Sequence, residues 1–212
     1  MSNVTAALPR RMLADLQPAV YQSVMAAIVR VLAADSTSNA TRQSWQKLID
    51  SGPRTGGFRT LLSARDQFDY DCILHALLHR ELSAAHWDVL VGRFSTHKGN
   101  RIGAISRSVY RISTPAPALF RYKAATVWFI PKMKGLKVGR NDKGRDLKRS
   151  TQVEALPDEF YDVNTWDTEA RPESTRSRWR LGIHRFLEAQ QESAVIHVTE
   201  ILEREQLLGH VA

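Results

Sequence analysis

The chain has a single cysteine, Cys72, so no disulfide can form within it. That fits a reducing compartment. It has no apolar run near the roughly 20 residues that a membrane-crossing helix needs. The weakly apolar start of the chain precedes Arg10 and Arg11, the reverse of the order in a secretory signal. The expected location is therefore the cytoplasm, with no membrane partner. Acidic residues are scarce over the first 149 positions, with 10 Asp/Glu against 24 Lys/Arg, a net +14. No Gly-rich phosphate loop, HExxH pair or nucleophile elbow occurs, so the sequence gives no catalytic signature. Asp66, Asp69 and Asp71 could suggest metal-dependent phosphodiester cleavage. The first two read more simply as helix N-terminal charges, and the protein is not expected to be an enzyme.

What is present is positive charge on an ordinary globular background. The 212 residues are 43% hydrophobic and 25% charged, with net charge +8 and pI about 9.9. Residues 150–212 reverse the sign, with 6 Lys/Arg against 12 Asp/Glu. A basic body with an acidic C-terminal part suggests one surface for a polyanion and another for a protein, or one that screens the first.

The hydrophobic periodicity predicts a mostly α-helical bundle. Met12, Leu16, Val20, Val24, Ile28 and Val31 place a helix over 10–34, broken or kinked at Pro18. A short helix follows over 41–49, then a Gly-rich hinge over 51–57. Residues 66–80 form a strong helix, and Ile73, Leu74, Leu77 and Leu78 suggest that it is largely buried. Ser83 can cap a helix over 84–94. Gly99-Asn100 separates it from a helix over 101–111. Pro115 and Pro117 end that element and can start another at Ala118. Over 118–130 the Ala-rich content with Leu119, Tyr122, Lys123 and Val127 favours a helix, whereas Thr126-Val-Trp-Phe-Ile130 alone would read as a strand. After an acidic linker, Ser174 or Thr175 caps a helix reaching about Gln190, and a last helix covers 193–208. The implied divisions are an N-terminal helical segment (1–64), a helix-turn-helix core (65–131), a basic arm (132–153) and a C-terminal helical module (154–212).

The pair 84–94 and 101–111 has the layout of a helix-turn-helix, in which one helix braces and the next enters the major groove. Arg101, Ser106, Arg107, Ser108 and Arg111 lie on the polar side of the second helix. Arginine bonds guanine bidentately, and Ser and Arg also serve phosphate. In a trihelical version the reader is 118–130, with Arg121 and Lys123. Two adjacent amphipathic helices in any bundle look the same. Residues 132–149 carry eight Lys/Arg and two Asp, a net +6. Such a segment suits phosphate contact with DNA, or with RNA, though it also reads as a solvated loop.

Cys72, His75 and His79 share one helical face. The spacing matches no zinc finger and no CxxC pair exists, so neither a metal nor a cofactor is expected. Trp179, Ile183, Phe186 and Leu187 form an apolar face ringed by Arg176, Arg178, Arg180 and Arg185. This reads as a helical hairpin packed on itself, a protein-docking module or a second basic face.

Several of these features together resemble the phage late-gene antitermination, Q-type, proteins. They are the Trp-containing segment with its basic second helix (His86–Ile112), the Pro-Ala-Pro-x-Leu-Phe step at 115–120, the Lys/Arg arm, and the closing pattern of Pro172, Thr175, Trp179 and Arg180. The resemblance covers about residues 65–208. It implies a factor that binds promoter-proximal DNA, attaches to bacterial RNA polymerase, with or without its sigma factor, and suppresses pausing and termination. Some members carry a zinc-binding insertion, and this chain lacks the paired cysteines for one. On this reading Arg101, Ser106, Arg107, Arg111, Arg121 and Lys123 would read DNA. Lys132, Lys134, Lys137 and Arg140 would meet phosphate or a polymerase channel. A repressor or activator without a processive role, and a polymerase inhibitor that never reads DNA, remain alternatives.

Overall fold

A computed structural model describes residues 20–33, 64–132 and 156–208. Among these residues the chain is mostly helical. Six α-helices and two 3-10 turns follow in order: α1 (Val24–Ala33), α2 (Ala64–Glu81), α3 (Ala84–Phe94), α4 (Lys98–Arg111), α5 (Ala118–Phe129), turns at Asp158–Tyr161 and Val163–Trp166, and α6 (Glu173–Arg204). The expected helix over 41–49, the hinge at 51–57 and all of the basic arm beyond Lys132 lie outside the described residues.

Local chemistry sets most boundaries. The Ser83 hydroxyl accepts from the His86 amide at 3.2 Å and so starts α3, one of the four orphan donors at a helix start being satisfied by the cap. Pro117 precedes α5, where a fixed φ favours helix entry and no amide is missed. α4 begins at Lys98, earlier than expected, because His97 Nδ1 accepts from the Asn100 amide at 3.2 Å. The cap draws Gly99 and Asn100 into the first turn. α6 opens after Pro172 rather than on Ser174 or Thr175.

The largest departure is α6 itself. The expected helical hairpin is one continuous helix of 32 residues. Gln190-Gln191-Glu192-Ser193 contains neither glycine nor proline. Polarity alone does not end a helix, and glutamine and glutamate are good helix formers.

α6 spans the bundle and packs on α3 and α5, and α1 packs against α2, α3 and α6. One hydrophobic core runs through Ile28, Leu32, Leu78, Leu90, Ile105, Phe120, Phe129, Ile183, Leu187, Val198 and Leu202. Phe120 sits fully buried between Trp166 and Trp179, edge-on to each with centroids 5.5 Å away. Complete burial of such a ring contributes about 2–3 kcal/mol, and edge-to-face packing adds to it. The Trp166 indole N–H donates to the Phe160 carbonyl at 2.9 Å. This bond ties the two 3-10 turns to each other, and the packing of Trp166 on Phe120 seats them on α5. α2 is one-sided rather than largely buried: Leu74 and Leu78 face the core, while Phe68, Cys72 and Ile73 are exposed.

Two buried carboxylates tie elements together. Asp71 is 1% exposed. It accepts from the Tyr21 hydroxyl and from Arg30 Nε, both at 2.9 Å. The cluster holds the segment before α1, and α1 itself, against α2. Burial, and then the Asp71 charge, push the Tyr21 phenol well above its ordinary value, so it stays a donor. At the opposite end Tyr21 donates its amide to the Leu207 carbonyl at 3.1 Å and forms an isolated bridge with Leu208.

Candidate nucleic-acid interface

α3 and α4 are joined by Ser95, Thr96 and His97 alone. Gly92 in the last turn of α3 permits close approach of α5, because a Cβ there would stand 2.8 Å from Phe129 Cε1. The second carboxylate, Asp88 of α3, is 2% exposed. Arg107 donates to its Oδ1 through Nε at 2.9 Å and Nη2 at 2.7 Å, and Arg111 donates to Oδ2 at 2.6 Å. Arg107 and Arg111 are one helical turn apart on α4, so a single carboxylate reaches both. The bonds to Asp88 raise the Arg107 guanidinium above its ordinary value. The Arg107 side chain is nevertheless 56% exposed. The trio carries a net positive charge and presents two oriented guanidiniums along α4.

Among the described residues, Arg101, Arg121 and Lys123, also singled out from sequence, have internal engagements. Arg101 turns back to donate through Nε to the Gly92 carbonyl at 3.1 Å and through Nη2 to the Phe129 carbonyl at 3.0 Å. These are C-terminal carbonyls of α3 and α5, groups without an intrahelical partner and at the negative end of each helix dipole. Arg93 joins the same place. It donates to the Trp128 carbonyl and lies over the Trp128 ring at 4.9 Å, and burial lowers its guanidinium from the ordinary value. Arg121 donates to the Ile112 carbonyl at the end of α4, at 3.4 Å. Lys123 donates to the Thr165 carbonyl at 3.2 Å and to its hydroxyl at 3.3 Å. The exposure expected of Arg101, Arg121 and Lys123 is therefore reduced: all three are half-buried. A sequence pattern gives the face of a helix but not the reach of a long side chain toward an unpaired carbonyl.

Ser106 is half-buried on α4, and Ser108 is buried. Lys132 is exposed and lies 2.8 Å from Asp158 Oδ1. Lys134, Lys137 and Arg140 lie outside the described residues.

Tyr110, which the sequence reading passed over, is 82% exposed on α4. It stands three residues beyond Arg107, with Ile102 also exposed on the same helix. The signal was present in the spacing, since an aromatic on the polar side of an otherwise well-partitioned amphipathic helix has no core to serve.

Elsewhere the chemistry is sparse. His75 and His79 both pack edge-on against Trp87, at 5.2 and 4.9 Å. Among the described residues no group of three His, Cys, Asp or Glu is placed to hold a metal ion. A shallow cleft of about 10 Å³, room for little more than a water molecule, lies between α3, α4 and α6, lined by Val89, Ser108, Arg111 and Phe186. That is below the size of most small-molecule sites. Among the described residues no helix is long and apolar enough to cross a membrane.

No known protein family model matches the chain. Comparison with curated proteins and with solved structures likewise gave no match. The antitermination resemblance therefore stands on the sequence features alone.

Proposed function

We propose that the protein binds duplex DNA through α3 and α4 and regulates transcription. The most concrete form is a phage-type antitermination factor that loads at promoter-proximal DNA and stays attached to bacterial RNA polymerase. The observation that carries the reading is the outer side of α4, where Arg107 and Arg111 are held by one buried carboxylate beside the exposed ring of Tyr110. Oriented guanidiniums suit guanine edges and phosphates better than free ones, because less rotamer freedom is lost on contact. An aromatic with a phenolic hydroxyl can pack on sugar or base and reach phosphate. The net +6 of residues 132–149 supplies the sequence-independent attraction that lets such a reader search. A helix-turn-helix repressor or activator uses the same surface, and a polymerase inhibitor would not need it.

Transcription with purified bacterial RNA polymerase tests the proposal, on a template carrying the native late promoter upstream of a terminator. Terminator read-through that depends on the promoter-proximal DNA supports antitermination. Unchanged termination with blocked initiation transfers the function to a repressor or inhibitor. Retention of either effect in an Arg107→Ala, Arg111→Ala double variant removes α4 as the DNA reader.

A further inference from the structure

We infer that the outward side of α6 is a self-association surface, taken by the same side of a second copy of this chain running antiparallel about a two-fold axis at Ala189. α6 buries Trp179, Ile183, Leu187, Ala194, Val198 and Leu202 in the bundle. The opposite side is exposed at Arg178, Gly182, Arg185, Ala189, Glu192 and Ile196. These positions alternate by four and three residues, the spacing that keeps one stripe turned toward a partner helix.

The charges on this stripe are segregated by sign. Arg178 and Arg185 occupy the first half, and Glu192 and Glu200 the second. A helix that neutralised its own surface would place opposite charges three or four residues apart. Here Arg178 is flanked four residues away by Ser174 and Gly182, Arg185 by Leu181 and Ala189, and Glu192 by Glu188 and Ile196. The one opposite charge at three residues is Glu188 beyond Arg185, and the two form no ion pair. Glu200 has Arg204 at that distance, but Arg204 is bonded to Glu81 and Glu205. Among the described residues Arg178, Arg185, Glu192 and Glu200 make no ion pair with one another or with the rest of the chain.

Turning a copy of α6 end for end about Ala189 pairs these charges. Arg178 stands level with Glu200 of the second copy, and Arg185 stands level with Ser193, one residue or about 1.5 Å of rise from Glu192 and within side-chain reach of it. In the same register Gly182 faces Ile196, which is 55% exposed, and Ala189 faces itself. A parallel copy would place like charge on like. Gly182 gives independent support. An added Cβ there would touch nothing within 4 Å, so no contact among the described residues needs glycine in the middle of the helix, where it costs stability relative to alanine. A partner helix carrying an isoleucine across from it is a use for the missing side chain. The surface is predominantly ionic, so the dimer is weak and salt-sensitive.

The inference does not depend on DNA binding, because association is measured on the protein alone. Sedimentation of the full chain is expected to show a monomer–dimer equilibrium at about 50 mM salt that shifts toward monomer at high salt, as screening of exposed charges requires. Glu192→Arg should weaken association at least tenfold. Adding Arg185→Glu to it should restore dimers, with unchanged circular dichroism in both variants. Gly182→Ala should raise thermal stability of the monomer yet weaken the dimer. In a Cys72→Ser background, Ala189→Cys should form an intermolecular disulfide on mild oxidation, and Glu203→Cys, far from the axis, should not. A monomer at every salt concentration overturns the inference, as does a dimer indifferent to Glu192→Arg. If that monomer loses duplex DNA on Arg178→Glu with Arg185→Glu, the stripe belongs to DNA.

Discussion

Asp88 and Arg107 form a contact across the α3–α4 pair in which a carboxylate with almost no solvent exposure fixes a guanidinium that is more than half exposed, with Nη2 2.7 Å from Oδ1. The burial is asymmetric, so the two partners respond differently to mutation. Removing Arg107 leaves a buried carboxylate with Arg111 as its remaining guanidinium, whereas removing Asp88 frees two arginines that can turn to water. Breaking such contacts costs about 1–3 kcal/mol. Arg107→Ala should lower the unfolding free energy obtained from urea titration by an amount in this range. In addition it should weaken binding to the protein's preferred duplex by about 1–3 kcal/mol if the residue reads a base. A stability loss with identical affinity for all duplexes would leave Arg107 as a purely internal brace.

Arg101 separates architecture from recognition. Its two bonds to the carbonyls ending α3 and α5 predict that Arg101→Ala destabilises the fold by about 1.5–3 kcal/mol. Below the unfolding transition, duplex affinity should stay within about twofold of the parent. Fluorescence-detected urea unfolding and duplex anisotropy on the same preparation check this. A large affinity loss without destabilisation would reverse the assignment.

Tyr110 makes the complementary case. Exposed surface substitutions usually change stability by less than about 0.5 kcal/mol, so Tyr110→Ala should leave the unfolding midpoint unchanged. The same variant should bind duplex DNA measurably more weakly, and in the parent protein DNA binding should protect Tyr110 from iodination. Unaltered affinity would take Tyr110 out of the interface.

The end of α6 offers a stability test free of functional consequences. Gln206 has φ of 57°. The Leu207 amide returns to the Leu202 carbonyl at 2.9 Å and the Gln206 amide to the Glu203 carbonyl at 3.1 Å. This is the helix-ending geometry that glycine favours, and a side chain in the left-handed region costs about 1–2 kcal/mol. Gln206→Gly should therefore raise stability by about 1 kcal/mol, less the entropy that glycine adds to the unfolded chain. A lower melting temperature would contradict it.

Acid sensitivity should arise before the carboxylates titrate. Burial lowers the His184 imidazole from its ordinary value of 6.5, and Nε2 lies 3.3 Å from the Ala124 carbonyl. Burial, followed by the neighbouring His197, lowers His86. The folded protein takes up these protons at lower pH than the unfolded chain does. The full stability is present above about 6.5 and is lost progressively as pH falls from there toward the folded-state values. Urea midpoints should decline between pH 7.5 and 5.5, and His184→Gln should flatten that decline. A pH-independent midpoint over this window would exclude the histidines.

Much of the helical framework was legible because its signals are local. The Ser83 cap, the Pro117 start and the apolar spacing of α3 each act within a turn or two. The continuity of α6 was missed because Gln190 to Ser193 is polar enough to resemble a connection while remaining helix-compatible. The destinations of Arg101, Arg121 and Lys123 were hidden for another reason. Each is on the polar side of its helix, as the pattern says, but each reaches a carbonyl supplied by a different part of the chain. Asp88 gave no sign of holding two arginines, since in the sequence it is one acid in an apolar helix.

The pairing of Tyr21 with Leu207 and Leu208 has a consequence for biosynthesis. The segment leading into α1 is made early, yet the backbone that receives it emerges only after nearly all of the described chain has been translated. Asp71 can engage Tyr21 and Arg30 midway through synthesis, but α1 gains its last face only when α6 arrives. Contacts this distant in sequence slow folding. Until α6 arrives, the nascent chain leaves part of the apolar surface of α1 uncovered, a surface on which a ribosome-associated chaperone would act.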